Sequence, residues 1–356
     1  MWQRNRTLVI WLISIFILLI AVNLIQGNPD WIEYGYSQSF YPVYAYLPKI
    51  LFGWLPFSIG DLLYVSLGAT LLILFLKPII LLFRRQGRLA MRRFLVFLGV
   101  LFSVYLFFQV AWAMNYYRIP VSKQLKLNVD TVYLEDHLSI LADHIAKANQ
   151  LRAQVNMREQ KRDSANIEVE QLMREDAQFP MLSKTQVKVK YPLVGVMASY
   201  FGVSGYFNPF SNEAHVNGNM PLYSYPFTVA HELSHQMGIG FEDECNFIAF
   251  VKLQDHPNPW YAYAAYLESS TYLLRSLYLV DKGKFEEYKL RFSAAVKADL
   301  QADQAYWQQY TGWINTLSGM FYNQYLIHNN QAEGMARYGM VSRLIIAWEK
   351  QKKAAN

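Results

Sequence analysis

The sequence predicts a mainly α chain: three N-terminal transmembrane helices, then an extracytoplasmic α+β domain with a small strand or hairpin region. Three observations carry this. The first third of the 356 residues contains long uncharged apolar runs. Arginines crowd the short stretch between the second and third of those runs. The rest mixes apolar, charged and punctuating residues as an ordinary globular chain does. The division falls at residues 1–114 for the membrane part and 115–356 for the other. A composition 53% hydrophobic and 17% charged excludes a disordered chain. A single cysteine excludes an intramolecular disulfide framework, a multi-cysteine zinc ribbon and an iron–sulfur centre.

The first span is Leu8–Ile25, 18 residues without a charge. At about 1.5 Å per residue it covers roughly 27 Å, close to a hydrocarbon core of about 30 Å. It reads as an uncleaved anchor, because the apolar stretch is long for a signal peptide and no small-x-small site precedes Gln26-Gly27-Asn28. The second span, Leu62–Phe83, contains Lys77-Pro78. A lysine near a helix end can snorkel, and proline is tolerated within the bilayer. The third span is Phe94–Met114, with Trp112, Tyr116 and Tyr117 as an interfacial belt. The loop Asn28–Ser58 is rich in Tyr, Trp, Phe and Pro and is expected to lie along the interface or under a soluble domain.

Orientation follows from arginines. Arg4 and Arg6 precede the first span, and Arg84, Arg85, Arg88, Arg92 and Arg93 separate the second from the third. The loop between the first two spans holds only Lys49. The positive-inside rule puts the N-terminus and the arginine loop in the cytoplasm and everything after Met114 outside it. The expected location is the plasma membrane, multi-pass, with the lipid bilayer as a partner. The formal net charge of +6 becomes −1 without those seven arginines, so no basic nucleic-acid surface remains to be explained.

Beyond the spans, Tyr133–Leu182 has helical periodicity with an expected interruption at Ser164-Ala165-Asn166. His137 and His144 share a face there but lie about two turns apart, too far to share a metal by themselves. They read as surface or packing residues. Val187–Asn219 alternates Val with Lys and is then punctuated by Gly, Pro and Asn, which predicts short strands or a hairpin. Helical patterning returns from Trp260 to Trp348, with a break at Gly334 and Gly339.

The stretch that carries chemistry is Ser224–Phe250. His231-Glu232-Leu233-Ser234-His235 is an HExxH. On a helix, residues four apart lie on one face, so both imidazoles can reach one ion. Glu232, about 100° round the axis from His231, can reach a metal-bound water without ligating the metal. Ser224 is a candidate N-cap, Pro226 suits the first turn, and Gly238 and Gly240 end the helix. Catalytic zinc takes three protein ligands and a water. In HExxHxxGxxH the third ligand follows the glycine by three residues. Here Gly238 matches, but Phe241 occupies the ligand position, which excludes the metzincin arrangement.

The acids Glu242-Asp243-Glu244 come next. If a second helix starts near Glu242, the two helices form a corner in which Glu244 converges with His235. Glu244 is the expected third ligand, with Glu242 and Asp243 as alternatives. The same acids also favour a helix N-terminus through its dipole. Cys245 reads as a small buried residue and Asn246 as a residue that orients a ligand.

Glu244-Cys245-Asn246-Phe247-Ile248-Ala249 resembles the EANxxA segment that supplies the third zinc ligand in some HExxH peptidases. More broadly, the chain resembles a bacterial membrane family, domain of unknown function 3810. The resemblance runs through Pro56–Asp61, Asn115–Arg118, Gly205–Phe210, the HExxH with Glu242-Asp243-Glu244, and Gln324-Tyr325-Leu326. It implies a zincin-like peptidase site with His231, His235 and Glu244 as zinc ligands and Glu232 as general base. Cys245 stands where alanine is expected.

The expected function is a membrane-anchored zinc metallopeptidase acting on a peptide or protein on the extracytoplasmic side. Candidate oxyanion donors are Tyr206, Tyr325, His328 and Arg337. Val194–Asn219 is either a strand that holds substrate or a structural hairpin. An intramembrane protease is excluded, because Ser224–Asp243 is too short and polar to span. The alternative from another class is a non-catalytic membrane sensor or assembly protein with a structural metal site.

Overall fold

The computed structural model describes residues 2–174, 179–182, 184–185, 187–330 and 338–355. The chain is mainly helical and divides into two compact units, Met1–Arg118 with Asn208–Asn212, and Ile119–Phe207 with Glu213–Asn356. The first unit thus ends four residues beyond the expected boundary and takes in a short segment from the middle of the chain.

The first unit contains α1 (Trp2–Gln26), α2 (Tyr41–Phe52), α3 (Ile59–Phe83) and α4 (Gly87–Ala111). Three of its helices are long and apolar enough to cross a membrane: Arg6–Gln26, Ile59–Phe83 and Gly87–Ala111. The third starts before Phe94 and stops at Ala111, short of the expected Met114, where a 3₁₀ segment over Ala113–Tyr117 takes over. Ser58 caps α3 by accepting from the Asp61 amide at 2.9 Å. α1 packs on α4 at Gly99, where a side chain would collide with the Trp11 ring.

The aromatic segment after α1 is helical, not an open loop. Trp31–Phe40 is a π-helical turn that runs into α2. It buries Glu33 against Arg118 at 2.6 Å and Ser37 against Asn115 at 2.8 Å. Both ion-pair partners are about 1% exposed. The inserted segment Asn208–Asn212 joins this unit through aromatic contacts. Phe210 stacks on Phe107 at 5.8 Å and meets Tyr64 edge-on at 5.9 Å. Asn212 donates to the Tyr41 hydroxyl at 2.9 Å. Gly60 has no room for a side chain beside Asn208 and Ser211. Within this unit, two stretches that resemble the family, Pro56–Asp61 and Asn208-Pro209-Phe210, therefore meet in space.

The second unit contains α5 (Val121–Gln124), α6 (Leu134–Arg152), α7 (Arg162–Arg174), β1 (Val189–Lys190), α8 (Gly195–Tyr200), β2 (Gly205–Asn208) and β3 (Glu213–Val216). Then follow α9 (Tyr225–Gln236), α10 (Glu242–Leu253), α11 (Pro259–Val280), α12 (Lys282–Lys289), α13 (Ala294–Gln308), α14 (Trp313–His328) and α15 (Tyr338–Ala355). The expected strands are present as a three-stranded sheet of order β1-β3-β2, with β1 parallel to β3 and Val189 opposite Ala214. Val189, Ala214 and Val216 face the core with Leu233, Phe247, Ile248 and Leu267. Alternation sends Lys190 and Glu213 to the other face, where they pair at 2.6 Å.

Two local expectations are corrected, and of the two readings of His137 and His144 the packing one holds. The break in the Tyr133–Leu182 helix falls at residues 153–161, not at Ser164–Asn166. Asn156 holds that turn by accepting from the Arg158 amide at 3.2 Å and donating to Glu159 at 2.7 Å. Asn166 stays helical because its side chain reaches across the core to accept from the Tyr225 hydroxyl at 2.9 Å. Gly339 lies inside α15 and breaks nothing, while Gly334 lies outside the described residues. His137 and His144 are both buried packing residues, bonded to the Leu273 carbonyl and the Ser269 hydroxyl.

Candidate metal centre

The HExxH helix forms where the sequence puts it. Tyr225 follows Ser224, Pro226 occupies the first turn, and the helix stops after Gln236. Its end is a Schellman motif. Gly238 has φ +86°, its amide bonds the His235 carbonyl at 3.0 Å, and the Ile239 amide bonds the Ser234 carbonyl at 3.1 Å. The chain turns at once, and α10 begins at Glu242.

This corner brings three side chains together. Nε2 of His231 stands 3.1 Å from one Glu242 oxygen, and Nε2 of His235 stands 3.3 Å from the other. Donor atoms of the three residues lie within 4.8 Å of one another. Both imidazoles are fixed from behind. Nδ1 of His231 contacts Oδ1 of Asn246 at 2.8 Å, and Nδ1 of His235 contacts the Ile239 carbonyl at 2.8 Å. Each Nδ1 must donate there, since its partner is an acceptor. In a neutral imidazole the Nε2 atoms then carry lone pairs aimed at a carboxylate. That arrangement is repulsive unless both rings are protonated or a cation lies between them. Ligands about 2.0–2.1 Å from a tetrahedral ion stand roughly 3.3 Å from one another, which the two His–Glu separations match.

Glu232 lies beside this cluster, 4% exposed, and its Oε2 has no hydrogen-bond partner among the described residues. Burial pushes its pKa up to about 7, against the downward pull of His231 and His235. Burial alone would raise Glu242, but the two histidines hold it well below the usual carboxylate range. Burial alone would lower His235, but Cys245 and Glu242 hold it well above the usual imidazole range. Cys245 is buried with Sγ 3.3 Å from Nδ1 of His235, and burial pushes its thiol up to about 12.

The structure brings together His231, Glu232 and His235 as expected, but not Glu244. The Glu244 carboxylate accepts from the Val121 amide at 2.7 Å, and its place in the cluster is taken by Glu242. Asp243 is buried but is not among the clustered residues. Asn246 orients His231 as expected.

Of the expected oxyanion donors, Tyr206 stacks on His215 at 4.5 Å and Tyr325 stacks on Tyr322. His328 occupies the exposed last turn of α14, and Arg337 lies outside the described residues. The tyrosine coupled to the cluster is Tyr322, whose hydroxyl lies within electrostatic reach of Glu242. The residue is 41% exposed, and burial first, then Glu242, pushes its pKa well up. One tyrosine among 26 carries no sequence signal for this role.

Two further features lie close by. β2 is an edge strand, and Gly205 at its start packs so tightly that a Cβ would sit 2.6 Å from Glu232 Oε1. Glu268 on α11 is pushed up to about 7 by burial and Asp303, while Arg275 and His231 pull it down.

Fold and centre together define a protein with three membrane-capable helices and a partly buried His-His-Glu cluster able to hold a metal ion. The chain belongs to the family described as protein of unknown function DUF3810, whose profile matches residues 36–346. Neither a curated protein nor a solved structure matches the chain.

Proposed function

We propose that the chain is a membrane-anchored, zinc-dependent peptidase whose metal ligands are His231, His235 and Glu242. The observation that carries this reading is the convergence of two back-bonded imidazoles and one carboxylate, with a second, unpartnered carboxylate beside them. Two histidines and a glutamate are a ligand set of catalytic zinc, and His231, His235 and Glu242 would hold the ion here. A bound zinc ion supplies Lewis acidity and lowers the pKa of a coordinated water toward about 7.

The chain's own residues do the rest. Glu232 takes the proton from the attacking water and returns it to the leaving amine. Tyr322, the tyrosine coupled electrostatically to Glu242, donates to the oxygen on which negative charge develops. Edge strand β2 takes the substrate backbone as an added strand, and Gly205 lets that backbone approach Glu232. A structural metal site needs neither a base nor an open position, so the unpartnered Glu232 oxygen favours catalysis over a purely structural role.

Positive charge at both ends of the arginine-bearing loop supports a cytoplasmic N-terminus and an extracytoplasmic second unit in a bacterial plasma membrane. The test is Glu232→Gln in the full chain, assayed against a denatured protein substrate. The variant is expected to keep its zinc and lose turnover by at least about 100-fold. A variant that cleaves as the unaltered chain does would refute the mechanism.

A further inference from the structure

The rim of the centre is built from two stretches without charge. Between Lys190 and Glu213, and between Asp303 and Glu333, the sequence contains no Asp, Glu, Lys or Arg, and no longer such stretch follows Arg118. The structure joins them. Ser199 and Tyr306 share a hydrogen bond at 2.6 Å, and Tyr200 meets Tyr310 edge-on at 5.1 Å. The first reaches the centre through Gly205 against Glu232, Gly202 beside α8 presses on Asn315 of α14, and Tyr322 on α14 is electrostatically coupled to Glu242.

Their outer surfaces are apolar and open. On α14, Trp313 is 76% exposed, Phe321 70% and Met320 57%. With Leu317 they form one helical stripe, and Tyr322 lies about 180° round the axis from Trp313. On and beside α8, Val196, Met197, Tyr200 and Phe201 are likewise exposed. Exposed apolar surface gathered in this way marks a place where something binds.

We propose that α8 and α14 form a substrate-binding surface that selects an uncharged, apolar polypeptide segment around the bond to be cut. This rests on the peptidase reading of the centre. The absence of charge on both walls argues for the substrate class. A charged side chain pressed against them would lose its hydration and find no opposite charge, a cost of several kcal/mol. An apolar side chain there removes water from Trp313, Met320 and Phe321 at no such cost. Continuity with the centre favours a polypeptide over lipid, since the helix that bears the stripe also bears Tyr322.

The test is a binding measurement on the full-chain Glu232→Gln protein in lipid nanodiscs, corrected for protein-free nanodiscs. The probes are a capped dansyl decapeptide of Leu, Phe, Val and Ala and two copies of it, one with two Lys and one with two Asp. The uncharged peptide is expected to bind at least about tenfold more tightly than either. That preference is expected to fall about tenfold in Met320→Asp/Phe321→Asp and to weaken in Trp313→Ala, which removes surface without adding charge. Equal binding of the three peptides, or a preference that survives both variants, overturns the proposal. Quenching of Trp313 by brominated lipid with no peptide preference assigns the stripe to the bilayer and overturns it too. Preference without cleavage by the unaltered chain keeps the surface and sinks the peptidase reading. Cleavage without preference does the reverse.

Discussion

Glu242 and Glu244 sit two residues apart on one helix and face away from each other, because two residues advance about 200° round the axis. Only one of them can look at the histidines. Asn246 discriminates between them: it is four residues after Glu242, hence on the same face, and it bonds His231. That face was legible in the sequence once Asn246 was assigned to a ligand, and the likeness to EANxxA obscured it. The placing of the two histidines and Glu232 was legible because it is set by local helical spacing alone. Tyr322 was not, because its position depends on how a distant helix folds back. Glu232 also has a pH signature in metal-free protein. Its pKa is raised in the fold from 4.5 to about 7, so its contribution to stability is complete below about 4.5 and is lost as pH rises through 7. Metal-free Glu232→Gln is therefore expected to gain on the unaltered chain by up to about 3 kcal/mol between pH 4 and pH 8. Thermal unfolding in detergent at the two pH values measures the difference, and a gain at pH 4 that vanishes at pH 8 would have the wrong sign.

At the scale of elements, α9 and α10 owe their corner to Gly238, whose left-handed φ closes the first helix just before Glu242 opens the second. Pro226 and the glycine mark this pair in the sequence, whereas Ser224 takes the N-cap position without a side-chain cap bond. The interruption before α7 left a weaker mark, because Asn156 and Ser164-Ala165-Asn166 are equally good turn formers and only tertiary contact to Tyr225 decides between them. The approach of β2 to α9 has no sequence mark beyond a glycine. Gly205 is nonetheless the tightest position at the centre, with backbone oxygen of His215 and the Glu232 side chain both inside contact distance of a Cβ. Gly205→Ala is expected to cost about 1–3 kcal/mol of stability through overpacking. It should also lower turnover with zinc still bound, as read by unfolding temperature, activity and metal content together. Unchanged activity would mean that β2 does not set the position of Glu232.

At the scale of the whole molecule, the three membrane-capable helices were legible to within a few residues because a lipid-facing helix needs nothing but length and apolarity. The limit of the first unit was not, because Arg118 reads as a polar residue beyond a span, whereas it is paired with Glu33 in the interior. Nor does any local pattern announce that Asn208–Asn212 belongs to the first unit. The topology proposed from the arginines is expected to place reporters fused at the two ends on opposite sides of the membrane, with the C-terminus outside. A cytoplasmic C-terminus would remove the extracytoplasmic assignment. The centre itself is tested most directly by metal analysis of the purified full chain. One equivalent of zinc is expected in the unaltered protein, in Glu232→Gln and in Glu244→Ala, and none in Glu242→Ala. Zinc retained without Glu242, or lost with Glu244, would contradict the ligand set on which the peptidase proposal stands.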